Sequence, residues 1–235
     1  MNSTSEVSFG ARVGNAETLL TSLTNFVAYQ PLKPEYSIEN FSNEIRNTKG
    51  FNNVVAEKKQ NYSLALEKRI QVITKGPGSI EKRLAPINGT VKAIYGKTSK
   101  EAKDIAGMIA KYRGANITVP KTATPADNTV SQSYQSYNSK LQFFADIIVN
   151  LSQFGEEYIT PNNDIKPDKL QQLYQLGVDV NNEVVTTFTQ FSQENARRID
   201  SYKLLSYIAT GIKESVKAQY GVRSTEYKLI KGLKI

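Results

Sequence analysis

Gly96, Lys97 and Thr98 have the residue types that end the phosphate-binding loop of nucleotide-hydrolysing proteins. In that loop a further glycine precedes the Gly-Lys pair, separated from it by four residues. Val91 occupies that position here, and no apolar strand comes before it. The sequence therefore does not support a phosphate-binding loop, and these three residues need another explanation.

Histidine and cysteine, which carry much of the chemistry of enzyme sites, are absent from the sequence. Without them the chain cannot form a Ser-His or Cys-His nucleophile pair, a zinc site with thiolate or imidazole ligands, or a disulfide. Catalysis would have to depend on carboxylates, Lys, Tyr or Ser. We therefore expect no enzymatic activity, no cofactor and no metal.

Glu156, Glu157, Asp164 and Asp168 cluster in one predicted loop and could hold a hard cation in a catalytic or small-ligand pocket. Such ions prefer oxygen ligands, but the cluster lacks the Asp-x-Asp-x-Asp-Gly spacing of a calcium-binding loop. Acidic residues in loops are more often simply solvated. A cation site is the weaker hypothesis.

Positive charge is concentrated in the first half of the chain. The net charge is +8; residues 1–114 hold 17 Lys and Arg against 10 Asp and Glu, whereas residues 115–235 hold 13 against 12. This asymmetry makes binding of nucleic acid or another anionic surface our alternative function. Acidic neighbours of the basic pairs and the lack of a known binding motif argue against it. The candidate anion-binding residues are Lys58, Lys59, Lys68, Arg69, Lys82, Arg83, Lys97, Lys100 and Lys103.

The sequence contains an internal repeat. VKAIYGKTSKEAKDIAG at 91–107 and VKAQYGVRSTEYKLIKG at 216–232, which lie 125 residues apart, are identical at 10 of 17 positions. Upstream the match is weaker and the spacing is 129, since KRI at 68–70 aligns with RRI at 197–199. The repeat does not retain Lys97 and Thr98, which is a second argument against the phosphate-binding loop.

The shared residues of the repeat predict a joint between two helices. Gly96 is expected to follow the end of one helix in a left-handed conformation. Thr98 or Ser99 would then cap the next helix, with Glu101 completing a capping box with Thr98. In the second copy a cap and a first-turn carboxylate are expected at the same places. The joint residues are Tyr95, Gly96, Ser99, Glu101, Tyr220, Gly221, Ser224 and Glu226.

Helical periodicity dominates the rest of the chain, and we predict an all-α protein. Apolar residues from Ile38 onward indicate a long helix of about 36 residues that ends at KGPGS, 75–79. A second long helix reaches Ile199 and either continues or bends beyond it. The predicted fold is a duplicated helical bundle of two related three-to-four-helix units with long central helices. The predicted domains are a first repeat at 1–114, a linker at 115–132 and a second repeat at 133–235.

The second half resembles a group of small, uncharacterised bacterial helical proteins. These proteins share an Asn-Ala-Arg segment in a long helix and a Tyr-Gly-x-x-Ser-x-x-Tyr-Lys-x-Ile-x-Gly ending. The resemblance implies a helical fold of two related units and no activity. The matching residues are Asn195, Ala196, Arg197, Tyr220, Gly221, Ser224, Tyr227, Lys228, Ile230 and Gly232.

Our leading functional hypothesis is a structural or scaffolding protein that associates with itself through helix faces. The 13 tyrosines and absent tryptophan suit amphipathic interfaces, because tyrosine buries area while its hydroxyl stays hydrogen-bonded. Head-to-tail contacts between duplicated units would form rings, tubes or filaments. We expect a cytoplasmic protein without a secretory signal or membrane span. A pore-forming role is weaker, since no apolar hairpin is available.

Overall fold

The structure is a computed structural model that describes residues 8–114 and 136–235. No strand occurs within these two ranges, so the all-α prediction is confirmed. The predicted linker at 115–132 lies outside the described residues. The helices of the first half are α1 (Phe9–Asn25), α2 (Ile38–Ile70), α3 (Ile80–Tyr95) and α4 (Lys100–Tyr112). Those of the second half are α5 (Tyr137–Gln153), α6 (Pro167–Tyr220) and α7 (Thr225–Ile230).

The two long helices were both predicted, but they end differently. After Ile70, α2 adds one π-helical turn, Gln71–Lys75, and stops at the Gly-Pro-Gly sequence of 76–78. Proline and glycine disfavour a helix interior, because proline lacks an N–H donor and glycine loses the most backbone entropy. The positions 125 residues later, 201–203, are Ser-Tyr-Lys, and α6 continues through them for 54 residues in all.

The described chain divides into two compact units. The terminal unit contains the residues up to Asn61 together with Phe188–Ile235, and the central unit is Tyr62–Thr187. These units do not coincide with the domains predicted from the repeat, because each unit combines helices from both halves of the sequence. The reason is that α2 and α6 each contribute one part to each unit.

Each unit has its own apolar core. In the central unit, α3, α4 and α5 pack around fully buried side chains, whereas the core of the terminal unit is built by α1, α7 and parts of α2 and α6. The central core includes Ile73, Ile80, Leu84, Ile87, Ile105, Tyr112, Phe144 and Ile147. The terminal core includes Ala16, Leu19, Leu23, Phe41, Tyr202, Leu205, Ile212 and Val216.

Gly211 in α6 marks a close contact inside the terminal unit. A Cβ atom at this position would overlap the ring of Tyr36, which is buried. Only glycine lets the ring approach the helix backbone so closely. Gly211 therefore serves packing, and α6 does not break there.

Across the residues described, no helix combines the length and apolar character needed to cross a membrane.

Candidate functional site

The first predicted joint connects α3 to α4. Gly96 follows the last residue of α3 with a φ of +90°, a region that favours glycine, and its N–H donates to the carbonyl oxygen of Lys92 at 3.0 Å. The Oγ of Ser99 accepts a hydrogen bond from the N–H of Ala102 at 3.1 Å and so caps α4. The predicted capping box between Thr98 and Glu101 is wrong, because the cap is one residue later and Glu101 is the second residue of α4.

The second joint, between α6 and α7, has the same geometry. Gly221 has a φ of +96° and donates to the carbonyl oxygen of Lys217 at 3.0 Å. The Oγ of Ser224 accepts from the N–H of Tyr227 at 3.1 Å, and Glu226 lies in the first turn of α7. A carboxylate there is favoured by the helix dipole. Sequence reasoning thus located both joints.

The joint tyrosines pack against phenylalanines that follow α1 and α5. The Tyr95 ring lies 5.0 Å from that of Phe154, and its hydroxyl donates to a carboxylate oxygen of Glu157 at 3.0 Å. The Tyr220 ring lies 5.8 Å from that of Phe26. These contacts make the joints structural elements of the two units.

Two further tyrosines fasten the loops that lead into α2 and α6. The Tyr29 hydroxyl donates to the carbonyl oxygen of Tyr36 at 2.8 Å, and the Tyr158 hydroxyl donates to that of Ile165 at 3.2 Å. Burial raises the pKa of Tyr29 to about 12 and that of Tyr158 to about 12. Both hydroxyls therefore remain protonated donors at neutral pH.

The candidate anion-binding residues divide between the two units. Lys58 and Lys59 belong to the terminal unit, and the other seven belong to the central unit. Several are already neutralised by a carboxylate: the ion pairs are Lys58–Glu57 (3.2 Å), Lys68–Glu183 (2.8 Å), Arg83–Asp164 (2.8 Å) and Lys100–Asp104 (2.6 Å).

The other candidate residues divide into two kinds. The guanidinium of Arg69 lies 3.9 Å from the ring centroid of Tyr137, which is a cation–π contact inside the protein. No ion pair within the described ranges involves the four exposed lysines Lys59, Lys82, Lys97 and Lys103. Anion binding stays a prediction. Among its nine candidate residues, these four lysines are the ones for which the described ranges show no ion-pair or cation–π partner.

The acidic cluster between α5 and α6 does not assemble as a cation site. Asp164 pairs with Arg83, and Glu157 accepts the hydroxyl of Tyr95. Within the described part of the chain, no group of three or more acidic residues is arranged to hold a metal ion.

A groove in the terminal unit was not anticipated from the sequence. It has a volume of about 700 Å³ and lies between α2 and the later part of α6, both helices contributing apolar and charged side chains. Phe51 and Leu204 stand at apolar helical spacing in α2 and α6, yet Leu204 is 46% exposed. The lining residues are Glu44, Arg46, Asn47, Gly50, Phe51, Val54, Arg197, Asp200, Ser201 and Leu204.

Buried hydroxyls connect the two helices beside the groove. Thr48 and Ser201 are hydrogen-bonded through their hydroxyl oxygens at 2.8 Å, and Ser201 also donates to the Glu44 carboxylate at 3.2 Å. Deeper in the unit, the Asn52 amide donates to the Tyr202 hydroxyl at 2.8 Å. This polar network fixes α2 against α6, so the groove is held in a defined shape.

The rim of the groove carries both signs of charge. Arg197 pairs with Glu194 at 2.7 Å, and Asp200 pairs with Lys203 at 2.8 Å, each within α6. Arg46 donates to the side-chain oxygen of Asn43 at 3.0 Å within α2. None of these contacts crosses the groove, which leaves its apolar floor open.

At the corresponding place in the central unit an ion pair joins the two long helices. At a spacing of 129, Val54 aligns with Glu183 and Arg197 aligns with Lys68. Glu183 and Lys68 join α6 to α2 at 2.8 Å in the central unit. With valine in place of the acid, the terminal unit has no such bridge. The internal repeat therefore contains the signal that could have identified the groove.

Comparisons with protein-family models, with curated proteins and with solved structures find no match to this chain.

Proposed function

We propose that this protein is a non-enzymatic structural or scaffolding protein that associates with itself through the groove of the terminal unit. The observation that carries this proposal is an apolar groove of about 700 Å³ that is rimmed by charges of both signs. Apolar area on a surface stabilises association when it is removed from water. A second copy of the chain is the occupant that we propose.

Charge is the reason to choose a second copy. In a two-fold dimer each residue i contacts a residue j of the other subunit and the reverse, so an interface needs both signs of charge to complement itself. Glu44 and Asp200 supply two acids, while Arg46 and Arg197 supply two bases. A partner of one predominant charge would leave half of these groups facing a like charge.

A stable interface buries about 800 Å² on each partner, which is more than a short groove provides. An exposed aromatic residue one turn beyond Leu204 on α6 extends the surface, since Tyr207 is 54% exposed. Tyrosine suits such a place, because it buries a large ring and keeps its hydroxyl wet. The groove makes a closed pair, and growth into rings, tubes or filaments requires a second surface.

The fold that carries this surface is, we propose, a duplicated bundle. The order of elements supports the duplication, since α1, α2, α3 and α4 match α5, the two parts of α6, and α7. The starting caps also match: Ser8 caps α1 through the N–H of Ala11, and Ser136 caps α5 through that of Ser139. Since Val180, which aligns with the groove residue Phe51, is covered in the central unit, each chain would present one such self-association site.

Val54→Glu tests the proposal, because it places a carboxylate where the central unit has Glu183. The new acid can bridge to Arg197 and puts charge on the floor of the groove. We expect the wild-type protein to elute with a mass of at least twice its 26.2 kDa, measured by light scattering over a concentration series. Val54→Glu should elute as a monomer with an unchanged helical circular dichroism signal.

Val149→Glu is the matched control, since Val149 is an exposed valine (55%) on α5 in the central unit and does not line the groove. It should assemble as the wild type does. A wild-type monomer at the highest concentration, or equal loss of assembly in both variants, would overturn the proposal. Negative-stain microscopy of the wild-type sample then separates pairs from rings and filaments.

A further inference from the structure

Matched cation–π contacts connect the two halves of the sequence inside each unit. In the central unit the guanidinium of Arg69, from the first half, lies 3.9 Å from the ring centroid of Tyr137, from the second. In the terminal unit Arg198, from the second half, lies 4.1 Å from the ring centroid of Phe9, from the first. Arg69 and Arg198 align at the spacing of 129. The same contact is therefore made twice, with the two halves in exchanged roles.

The joint tyrosines show the same exchange. Tyr95 of the first half packs on Phe154 of the second, and Tyr220 of the second half packs on Phe26 of the first. Tyr95 and Tyr220 occupy equivalent positions in the repeat. Since both units show this pattern, the exchange is a property of the whole arrangement.

Both cores are likewise shared between the halves. The central core combines α3 and α4 of the first half with α5 and the start of α6. The terminal core combines α1 and the start of α2 with the end of α6 and α7. Either half taken alone would expose one side of two separate cores, and the exposed side would match the other half.

We propose that the two halves, 8–114 and 136–235, are complementary partners that assemble without the covalent connection, and that a second copy of this chain can supply either half. Exchange between copies is a low-cost route to association, because the contacts in the exchanged form are those already present in one chain. The inference rests on the internal repeat proposed above and is independent of the groove.

The test uses the full chain with a protease recognition sequence in place of residues 122–127, in the Val54→Glu background so that groove association does not contribute. After complete cleavage, we expect one particle of about the intact mass by light scattering, with the full helical signal retained. Separation into two half-sized fragments, or aggregation on cleavage, would overturn the proposal.

Exchange between copies is tested by mixing two cleaved samples, one tagged on the first half and one on the second. The equal mixture is warmed into the unfolding transition and then cooled. Random pairing should then give a tagged second half to about half of the tagged first-half molecules. Recovery of the original pairs alone, while both samples remain folded, would overturn the exchange.

Arg69→Ala measures whether the cross-half contacts hold the particle together. Loss of this half-buried cation–π contact and of the hydrogen bond from Arg69 to Asn181 is expected to raise the Kd between the cleaved halves about tenfold, measured by dilution of a fluorescently labelled sample. Arg113→Ala is the control, because Arg113 pairs with Glu81 inside the first half. It should change the Kd less than about threefold. An equal loss in both variants would contradict the assigned role of Arg69.

Discussion

The terminal and central units each combine helices from both halves of the sequence, yet they differ at one buried position. In the terminal unit Thr48 and Ser201 form a buried hydroxyl pair beside the groove. At the spacing of 129, Thr48 aligns with Gly177 of the central unit, where an added Cβ would lie 2.6 Å from the Cδ2 of Leu141. The central unit thus gains close apolar packing where the terminal unit keeps a directional polar contact. A unit with an open groove needs such contacts, because apolar packing there is incomplete.

The joints differ in the helix that follows them. In the central unit the joint starts α4, which has 13 residues, whereas in the terminal unit it starts α7, which has only 6. Isolated helices as short as α7 are not stable in water, since nucleation is costly. Although the cap geometry is the same, α7 therefore depends more than α4 does on its cap and on tertiary contacts.

The largest expected effect on the free energy of unfolding is that of a substitution at Gly211 in the terminal unit. Gly211→Ala places a methyl group against the Tyr36 ring, and overpacking of this kind costs about 1–3 kcal/mol of the free energy of unfolding. Urea denaturation followed by circular dichroism measures the loss. The terminal unit should lose structure at lower urea than the central unit.

Gly107→Ala in α4 is the control in the other unit, because nothing lies within 4 Å of a Cβ added there. Alanine is favoured over glycine inside a helix, so this variant should gain about 0.5–1 kcal/mol. If both variants gain stability, Tyr36 moves away at little cost and Gly211 has no packing role.

The helices, both joints and the all-α class followed from the sequence because they depend on local chemistry: apolar periodicity, prolines, glycines with positive φ and serine caps. Which helices make up each compact unit could not be predicted from the sequence. Nothing local distinguishes a helix that packs against its own half from one that packs against the other half. The contact between Tyr220 and Phe26 spans nearly the whole described chain, and no local pattern predicts it.

The capping serines give an intermediate effect. Loss of a serine cap costs about 0.5–2 kcal/mol, so Ser99→Ala and Ser224→Ala should each lower the free energy of unfolding by about 1 kcal/mol. The comparison between units predicts different local outcomes. Hydrogen exchange should show that α7 opens in Ser224→Ala, while α4 remains protected beyond its first turn in Ser99→Ala.

A threonine at each cap provides the control, because its hydroxyl retains the hydrogen bond. Ser99→Thr and Ser224→Thr should behave nearly as the wild type does. Equal protection of α7 in Ser224→Ala and in the wild type would mean that tertiary contacts, such as those of the buried Ile230, hold this helix without its cap.

The groove shows why the candidate site was harder to predict than the fold. Phe51 and Leu204 stand at helical spacing with other apolar residues, a pattern that usually indicates a face turned to a core. Whether such a stripe is covered depends on what the partner helix presents across from it. That information lies in Arg197 and Val54, which are far apart in sequence and become informative only by comparison with their aligned positions.

The smallest effect is expected at the ion pair that joins α2 to α6 in the central unit. Lys68 and Glu183 are both substantially exposed (55% and 42%), so their coupling should be about 0.2–1 kcal/mol in a double-mutant cycle with Lys68→Met and Glu183→Val. The coupling should shrink in 1 M NaCl, because salt screens exposed charges. A coupling that is large and insensitive to salt would contradict an electrostatic pair.

Glu183→Val also asks whether the ion pair alone prevents a second groove. It gives the central unit the valine found at the aligned position of the terminal unit. Val180, however, aligns with Phe51 and is 1% exposed, so its side chain is already covered. Removing Glu183 should therefore leave the assembled mass unchanged in light scattering. A larger mass would mean that one carboxylate is the whole difference between the two units, and that self-association can be moved from one to the other by this residue alone.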